Sequence, residues 1–515
     1  MENQGYKGKG LLDSSLKLLA KTSIIVFIGV FLSKVLTYLY RIIIARYFGP
    51  EVYGLFSLAI MIAGWFVAFS SLGLYDGIIR FISLYRGKKE LNKIKSLFKI
   101  SFAFLSLSSI AFGIFLFYSS NFISVTIFHN SDLILFLKIF SFLIPFTVIS
   151  YPFLSVLRAY EEIGWHSFVF NIIQNLTKLI FLLFFIFLGM KSEAVAFSHT
   201  IGALCMLLFS YYICKYKVPQ LFGKSNLTKK ERKPLIKDLF IYSIPLLFSA
   251  IINILFTWVD SFSIGYFKSA LEVGFYNAAV PIAMILTIIP DLFMQLFFPM
   301  ITKEYSKKNF GLIKELSKQV NKWIFIILLP ATILLSLFPG AAINILFGSE
   351  YLVAETALRF LTLGMFFYCL FIVSNNLLSM AGKSNILLIN VTILAVINAI
   401  LNFILVPKYG INGAAFSTMF CYIIFGIILL FESNYYISII PLKRKMLKVL
   451  LVSLVPLFIL LFVRKFILIN LLNLFILTIT FLLLYVLLMF ITGCLDKNDI
   501  LILTTIKKKI FRDIS

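Results

Sequence analysis

The chain has 515 residues, of which 61% are hydrophobic and only 13% are charged, and its formal net charge is +25. Ordinary soluble domains contain about 45–50% apolar and about 25% charged residues, so this composition excludes a water-soluble globular protein. The positive charges lie in short segments between long apolar runs, so the net charge does not require nucleic acid and no nucleic-acid partner is expected.

Apolar runs long enough to cross a bilayer follow one another along the chain. A helix needs roughly 20 residues to cross a hydrocarbon core of about 30 Å. The sequence therefore predicts an all-α polytopic membrane protein with 14 transmembrane helices. We number them as spans one to fourteen, at residues 22–45, 53–80, 97–118, 133–157, 164–189, 194–214, 239–262, 274–299, 322–339, 353–380, 385–406, 412–431, 447–467 and 469–493.

The distribution of lysine and arginine predicts the orientation. Basic clusters follow spans two, six, eight, twelve and fourteen, whereas the opposite loops contain only scattered cations. Because short basic loops resist translocation, we expect a multi-pass cell-membrane protein with both termini in the cytoplasm. The first apolar run follows four lysines and is not followed by a small-residue cleavage site, so we expect a retained helix and not a signal peptide.

An internal duplication is visible at one offset. Tyr47-Phe48 recurs as Tyr266-Phe267, and Asn171 matches Asn390, each 219 residues later. Since this shift covers six spans, the two halves have the same orientation. We predict two six-helix lobes in a parallel pseudo-twofold repeat plus two C-terminal helices. The predicted boundaries are an N-lobe at 1–218, a cytoplasmic connector at 219–237, a C-lobe at 238–434, two helices at 435–495 and a basic cytoplasmic tail at 496–515.

Two stretches in the first hundred residues carry a family resemblance. They are the run Ala45-Arg46-Tyr47-Phe48-Gly49-Pro50-Glu51-Val52-Tyr53-Gly54 and the segment Leu72-Gly73-Leu74-Tyr75-Asp76-Gly77 with Arg80. They resemble the first two helices of flippases for lipid-linked sugars, within the multidrug/oligosaccharidyl-lipid/polysaccharide exporter superfamily. The resemblance implies a V-shaped pair of lobes whose central cavity opens alternately to each side.

The same resemblance implies a cargo and partners. The cargo would be an oligosaccharide on a polyprenyl diphosphate carrier such as undecaprenyl, moved from the cytoplasmic to the outer leaflet for cell-surface polysaccharide assembly. The expected partners are the bilayer, a polysaccharide polymerase and glycosyltransferases, and the expected oligomeric state is a monomer.

Charged side chains inside the spans are the first candidates for a site. A charge at the bilayer centre costs about 2.5–3.5 kcal/mol on insertion scales, so it usually faces a cavity or a partner. Lys34 and Arg41 lie one heptad apart on one face of span one. We expect them to bind the diphosphate, for which arginine offers a planar fork and lysine a mobile charge. The alternative is that they extend to the membrane surface or pair with acids.

Polar residues of spans five and eleven are further cavity candidates. Asn171, Asn175 and Lys178 lie in one sector of span five, and Asn390 lies at the repeat position in span eleven. Amides can bind sugar hydroxyls, but they also join helices to one another inside membranes.

Asp260, Asp76 and Arg80 are candidates for gating or ion coupling. Asp260 stands 219 residues after Arg41, so the duplication predicts the same depth for both in opposite lobes. Our hypothesis is that the two touch when the outer side is closed. Asp76 and Arg80 lie one turn apart near the inner end of span two, and we expect them to pair.

Span eight adds two candidates of the same kind. Asp291 follows Pro290, which is expected to kink the helix, and Gln295 lies one turn on. The carboxylate could bind Na⁺, take a proton or neutralise a lysine. Glu355 and Arg359, spaced i,i+4, are expected to form a structural pair.

Motifs for bond chemistry are not found in the sequence. It contains no metal-ligand spacing, no phosphate-binding loop and no nucleophile elbow, so we expect a transporter that is not an enzyme. No cofactor is expected, apart from Na⁺ or H⁺ as a coupling ion. Two alternatives stay open: a cation-coupled multidrug antiporter of the same superfamily, and a membrane glycan polymerase or glycosyltransferase.

Overall fold

The computed structural model describes the backbone of residues 2–464 and 471–494, and the side chains of these residues from 29 onward except 229, 296 and 471. Helices dominate this part of the chain. They are α1 (Glu2–Ser70), α2 (Leu74–Gly87), α3 (Leu91–Asn121), α4 (Leu133–Ala159), α5 (Ile163–Ser167), α6 (Gln174–Phe187), α7 (Glu193–Lys217), α8 (Lys229–Phe267), α9 (Ala270–Met284), α10 (Ile288–Ser306), α11 (Phe310–Leu337), α12 (Pro339–Leu346), α13 (Glu355–Leu370), α14 (Ile372–Met380), α15 (Ser384–Ile437), α16 (Arg444–Arg464) and α17 (Leu471–Ile491).

Two of these helices contain two spans each. Gly49 in α1 has φ 81° and ψ 176°, and Gly410 in α15 has φ 54° and ψ −134°. Both are conformations that glycine adopts at no steric cost, and they divide each element into two helical limbs. Within the described ranges, 12 helical segments are long and apolar enough to cross a membrane, and these two breaks raise the number of spans to 14. The predicted fold class is confirmed.

Spans two and eight are interrupted. α1 ends at Ser70 and α2 begins at Leu74, so the predicted continuous helix over 53–80 is wrong at 71–73. In span eight, α9 and α10 are separated by a 3₁₀ turn at Ile285–Thr287. This turn lies just before Pro290, which cannot donate to the carbonyl one turn earlier. The kink expected at Pro290 stays a prediction.

The chain divides into two compact units. The first contains the described residues up to Asn277 together with Asn402–Ile411, and the second contains Ala278–Leu401 and the described residues from Asn412 onward. In the first unit, α4 lies at the centre and packs against α1, α2, α3 and α7. The lobe boundaries that the duplication suggests stay a prediction.

In the second unit, α11 packs against α10, α13 and α16. Phe338, which follows α11, forms one apolar cluster with Leu460 of α16 and with Leu477 and Phe481 of α17. Arg464 reinforces this cluster, since its Nη1 donates to the carbonyl of Leu337 over 3.1 Å. The two C-terminal helices are thus attached to α11.

The structural pair expected in the second unit is present. Arg359 Nη2 lies 3.7 Å from Glu355 Oε2, across one turn of α13, and both side chains are partly exposed. The prediction of a local ion pair is confirmed.

Candidate functional site

One face of span one carries both predicted cations. Lys34, Tyr38 and Arg41 are half-buried, whereas Leu36 and Tyr40 are buried in the bundle. Spacings of four and three residues place the first three on one side of the helix. The structure therefore puts Lys34 and Arg41 on one partly accessible face, as their spacing predicts.

Arg41 has a sparse set of protein contacts. Its Nη1 donates to Tyr53 Oη over 3.4 Å. Among the described side chains it makes no ion pair and no further hydrogen bond. A guanidinium has five N–H donors, so most of them are available to a ligand. A cation inside a span without an acidic partner marks a candidate anion site.

Tyr53 connects Arg41 to the start of span eight. Its side chain is 0% exposed, and its hydroxyl donates to the carbonyl of Asn277 over 3.0 Å. The side chain of Asn277 is fixed in turn, because its Nδ2 donates to Ser261 Oγ over 3.0 Å. The contact partner of Arg41 is therefore a tyrosine that belongs to a hydrogen-bonded chain within the first unit.

Asp260 has different partners from the predicted one. Its side chain is buried, and its carboxylate accepts hydrogen bonds from Tyr276 Oη and, over 2.8 Å, from Asn402 Nδ2. Arg41 and Asp260 are not in contact in this structure, because Arg41 makes no ion pair with any described side chain. A contact between them in another state of the transport cycle stays a prediction. The repeat places the two residues at equivalent positions, but neighbouring tyrosines hold each of them separately.

The starts of spans two and eight touch backbone to backbone. A Cβ atom at Gly54 would lie 1.7 Å from the carbonyl oxygen of Ala270, and one at Gly274 would lie 1.9 Å from that of Pro50. No side chain fits between the helices there. We call this contact, made by Gly54 and Gly274, the glycine crossing; the predicted topology puts it at the outer ends of the spans.

A similar contact exists at the predicted inner end of span two. A Cβ atom at Gly73 or Gly77 would lie 2.3 Å from an oxygen atom of Ser243 in α8. Next to it, the guanidinium carbon of Arg80 lies 4.1 Å from the ring centre of Tyr242. This is a cation–π contact.

The pairing expected between Asp76 and Arg80 is wrong. Both side chains are exposed, and neither makes an ion pair with any described residue. The attraction of Arg80 to an aromatic ring on α8 replaces the pair that their spacing suggests. Whether they act in gating stays a prediction.

Asn175 joins two spans of the first unit, and Asn171 bonds within its own span. Asn175 accepts from Thr37 Oγ1 over 3.1 Å and donates to Ser33 Oγ over 2.9 Å, which links span five to span one. Asn171 Nδ2 donates to Ser167 Oγ over 2.9 Å. Their amides are used inside the bundle, so the structure does not support them as cavity-lining groups.

Lys178 is more deeply buried than a cavity-lining residue would be. Its side chain is only 6% exposed, and its Nζ lies 5.1 Å from the ring centre of Tyr40 in span one. It makes no hydrogen bond or ion pair with any side chain that the structure describes. In this conformation it is a buried cation behind span one, not an accessible ligand.

The candidates in the second unit differ in their surroundings. Asn390 Nδ2 donates to Glu432 Oε2 over 2.7 Å, so this amide also joins two helical limbs. Glu432 was not predicted because it lies just beyond the predicted end of span twelve. Asp291 and Gln295 are exposed on the same side of α10, which fits an aqueous cavity better than lipid.

A bundle of many spans with charged side chains inside them is typical of membrane transporters, and the fold and site define this protein as one. The family model described as polysaccharide biosynthesis protein matches residues 19–305, more than half of the chain. The chain therefore belongs to that family. A second model, described as MatE, matches residues 245–404.

Individual relatives agree with this assignment. The chain is 28% identical to an uncharacterised membrane protein of Methanocaldococcus jannaschii, over 85% of this chain and 88% of the relative. It is 29% identical to a putative O-antigen transporter of Shigella flexneri, over 73% of this chain and 88% of the relative. Among solved structures, a lipid II flippase in an inward closed conformation superposes with a TM-score of 0.74 at 21% identity, covering 91% of this chain and 98% of the other. At that identity, the likeness shows the fold.

Proposed function

We propose that this transporter is a flippase for an oligosaccharide linked to a polyprenyl diphosphate such as undecaprenyl diphosphate. It would move this lipid from the cytoplasmic to the outer leaflet by alternating access. The observation that carries the proposal is Arg41, which lies inside the membrane on a half-buried face and has most of its N–H donors uncommitted among the described residues. The planar guanidinium fork matches the oxygens of a phosphate.

Lys34 strengthens this assignment. It lies on the same face of span one, two helical turns before Arg41, and it is also half-buried. Two cations on one face offer a diphosphate two points of attraction, of which the lysine is the more mobile. The name of the Shigella flexneri relative, a putative O-antigen transporter, supports a cell-surface glycan as the transported group.

A multidrug antiporter of the same superfamily is the second candidate. The MatE match over residues 245–404 favours it. Drug cations would, however, meet Lys34 and Arg41, and like charges in a low-dielectric site repel each other strongly. A glycan polymerase or glycosyltransferase is disfavoured because the Shigella flexneri relative is named as a putative transporter.

For location, we propose the cell membrane with both termini in the cytoplasm, because the basic loops alternate as the positive-inside rule requires. The protein would act as a monomer, alongside the glycosyltransferases that build the lipid-linked sugar and a polymerase that consumes it.

We also propose Asp260 as the coupling site for Na⁺ or H⁺. Its carboxylate is buried inside a span and accepts hydrogen bonds from Tyr276 and Asn402, and a buried carboxylate in a span is a typical site for a proton or a bound cation. Asp260→Asn should therefore abolish the response of flipping to an imposed Na⁺ or pH gradient while leaving some ungated flipping. Asp132→Asn, at an exposed position before α4, should leave the response unchanged. An undiminished response in Asp260→Asn would refute this role.

The proposed function can be tested by reconstitution. The purified protein is inserted into liposomes that contain a fluorescent undecaprenyl diphosphate sugar, and an impermeant quencher reports how fast label appears on the outer surface. We expect flipping well above the rate in protein-free liposomes. Efflux of a cationic dye under a Na⁺ or proton gradient, without movement of the lipid, would instead establish the antiporter.

A further inference from the structure

We propose that Tyr53 is a positioning residue for Arg41, and that closure of the glycine crossing is what allows Tyr53 to act. Cargo would then bind tightly while spans two and eight touch and loosen when they part. This inference rests on the proposed binding of a diphosphate by Arg41, and it adds the residue and the contact that would control that binding.

The hydrogen bonds around the Tyr53 hydroxyl run in one direction. Its proton is committed to the carbonyl of Asn277 over 3.0 Å, so its oxygen lone pair is left to accept from Arg41 Nη1 over 3.4 Å. Each bond in such a chain polarises the next and strengthens it. The Asn277 carbonyl therefore fixes the phenol in the orientation that Arg41 requires.

Both ends of this hydrogen-bonded chain are held rigidly. The Tyr53 side chain is fully buried, and its ring packs against that of Phe56 at 6.4 Å between centroids. Asn277 is held through its own side chain, which donates to Ser261 Oγ and to the carbonyl of Val273. The hydroxyl cannot follow the carbonyl if the two helices move apart.

The glycine crossing lies beside these hydrogen bonds. Gly54 follows Tyr53, and Gly274 lies one turn before Asn277 on α9. The close backbone approach at the two glycines brings the phenol of one helix within 3.0 Å of the carbonyl of the other. A separation of about 1 Å would lengthen this distance to about 4 Å, beyond the reach of a hydrogen bond.

The consequence is a link between the outer contact and the affinity for the headgroup. When the crossing is closed, Arg41 is held in place by one long hydrogen bond and keeps its other donors for the ligand. When the crossing opens, the phenol loses its acceptor and no longer holds the guanidinium. By thermodynamic reciprocity, bound cargo should in turn favour the closed crossing.

The test is a double-mutant cycle on binding of a fluorescent undecaprenyl diphosphate sugar to the detergent-solubilised full chain. Tyr53→Phe removes only the hydroxyl, and we expect it to weaken binding about tenfold, in line with the loss of a hydrogen bond to a charged group. In an Arg41→Gln background, Tyr53→Phe should have no further effect, because it acts through Arg41. A purely structural tyrosine would weaken binding equally in both backgrounds.

Tyr485→Phe is a matched control. It also removes a hydroxyl that donates to a backbone carbonyl, that of Ile326 over 2.9 Å, in the second unit. We expect unchanged binding. If Tyr53→Phe does not fold, Gly274→Ala provides the same test, because it displaces Asn277 without altering either Tyr53 or Arg41; we expect it to weaken binding only when Arg41 is present.

The outcomes separate this inference from the proposed function. Binding that is lost in Arg41→Gln but unchanged in both Tyr53→Phe and Gly274→Ala would overturn the positioning role alone. Equal losses with and without Arg41 would also overturn it. An unmutated protein that binds no lipid diphosphate would overturn the proposed function and this inference together.

Discussion

Replacing Arg41 by glutamine should lower flipping of a lipid-diphosphate sugar about a hundredfold. Glutamine keeps much of the length and polarity but loses the charge and the fork that suit phosphate. Two hydrogen bonds from a charged group are worth about 3 kcal/mol together, which corresponds to a factor of about one hundred. The rate per reconstituted protein, measured in liposomes with an impermeant quencher, gives the result directly.

The matched control for this substitution is Arg359→Gln. Arg359 forms a partly exposed ion pair with Glu355, and such pairs contribute about 0–1 kcal/mol. Its loss should leave flipping close to that of the unmutated protein. If Arg41→Gln and Arg359→Gln have equal and small effects, Arg41 does not bind the cargo.

Adding one methyl group at the glycine crossing should have the second large effect. The Cβ of Gly54→Ala would lie 1.7 Å from the carbonyl oxygen of Ala270, so spans two and eight must separate. Overpacking of this kind costs about 1–3 kcal/mol, and we expect flipping to fall about tenfold or more. The change should not act through helix propensity, since alanine favours a helix over glycine by about 1 kcal/mol.

Gly64→Ala provides the comparison on the same span. A Cβ atom added at Gly64 meets no heavy atom within 4 Å, so it gains the same helix propensity without a clash. Flipping by Gly64→Ala should match that of the unmutated protein. Equal rates for Gly54→Ala and Gly64→Ala would show that the glycine crossing plays no part in transport.

The number of spans was predictable because a bilayer leaves few options. Lipid cannot satisfy backbone polar groups, so each long apolar run must be a helix. The break in span two at 71–73 was not predictable, because Leu72 adopts a positive φ of 51° in an apolar stretch without proline. Glycine at position 73 was the one local signal, and a glycine inside a membrane span is common enough to be read as a packing position.

The site was predictable only in part. Helical periodicity placed Lys34 and Arg41 on one face, and the structure agrees. The partner of Arg41 was not evident, since the repeat offset pointed to Asp260 while the actual partner is Tyr53 in the next limb. That limb is redirected at Gly49, whose φ is 81°, and the side chains that meet across such a turn depend on tertiary geometry.

The other missed contacts have the same cause. Arg80 lies over Tyr242, a residue on α8 that is distant in the sequence. Asp260 is held by Asn402, which is also distant in the sequence. No periodicity relates residues in separate helices, so such partners become visible only once the helices are packed.

Positive charge on the half-buried face of span one should select a diphosphate headgroup, and one comparison of two lipids tests this most directly. Liposomes are loaded with either of two lipids that share the same tail and sugar but differ in the linkage, one a diphosphate and the other neutral. The protein should flip the diphosphate lipid at least tenfold faster, and Lys34→Gln combined with Arg41→Gln should erase the difference. Equal flipping of both lipids by the unmutated protein would contradict the claim.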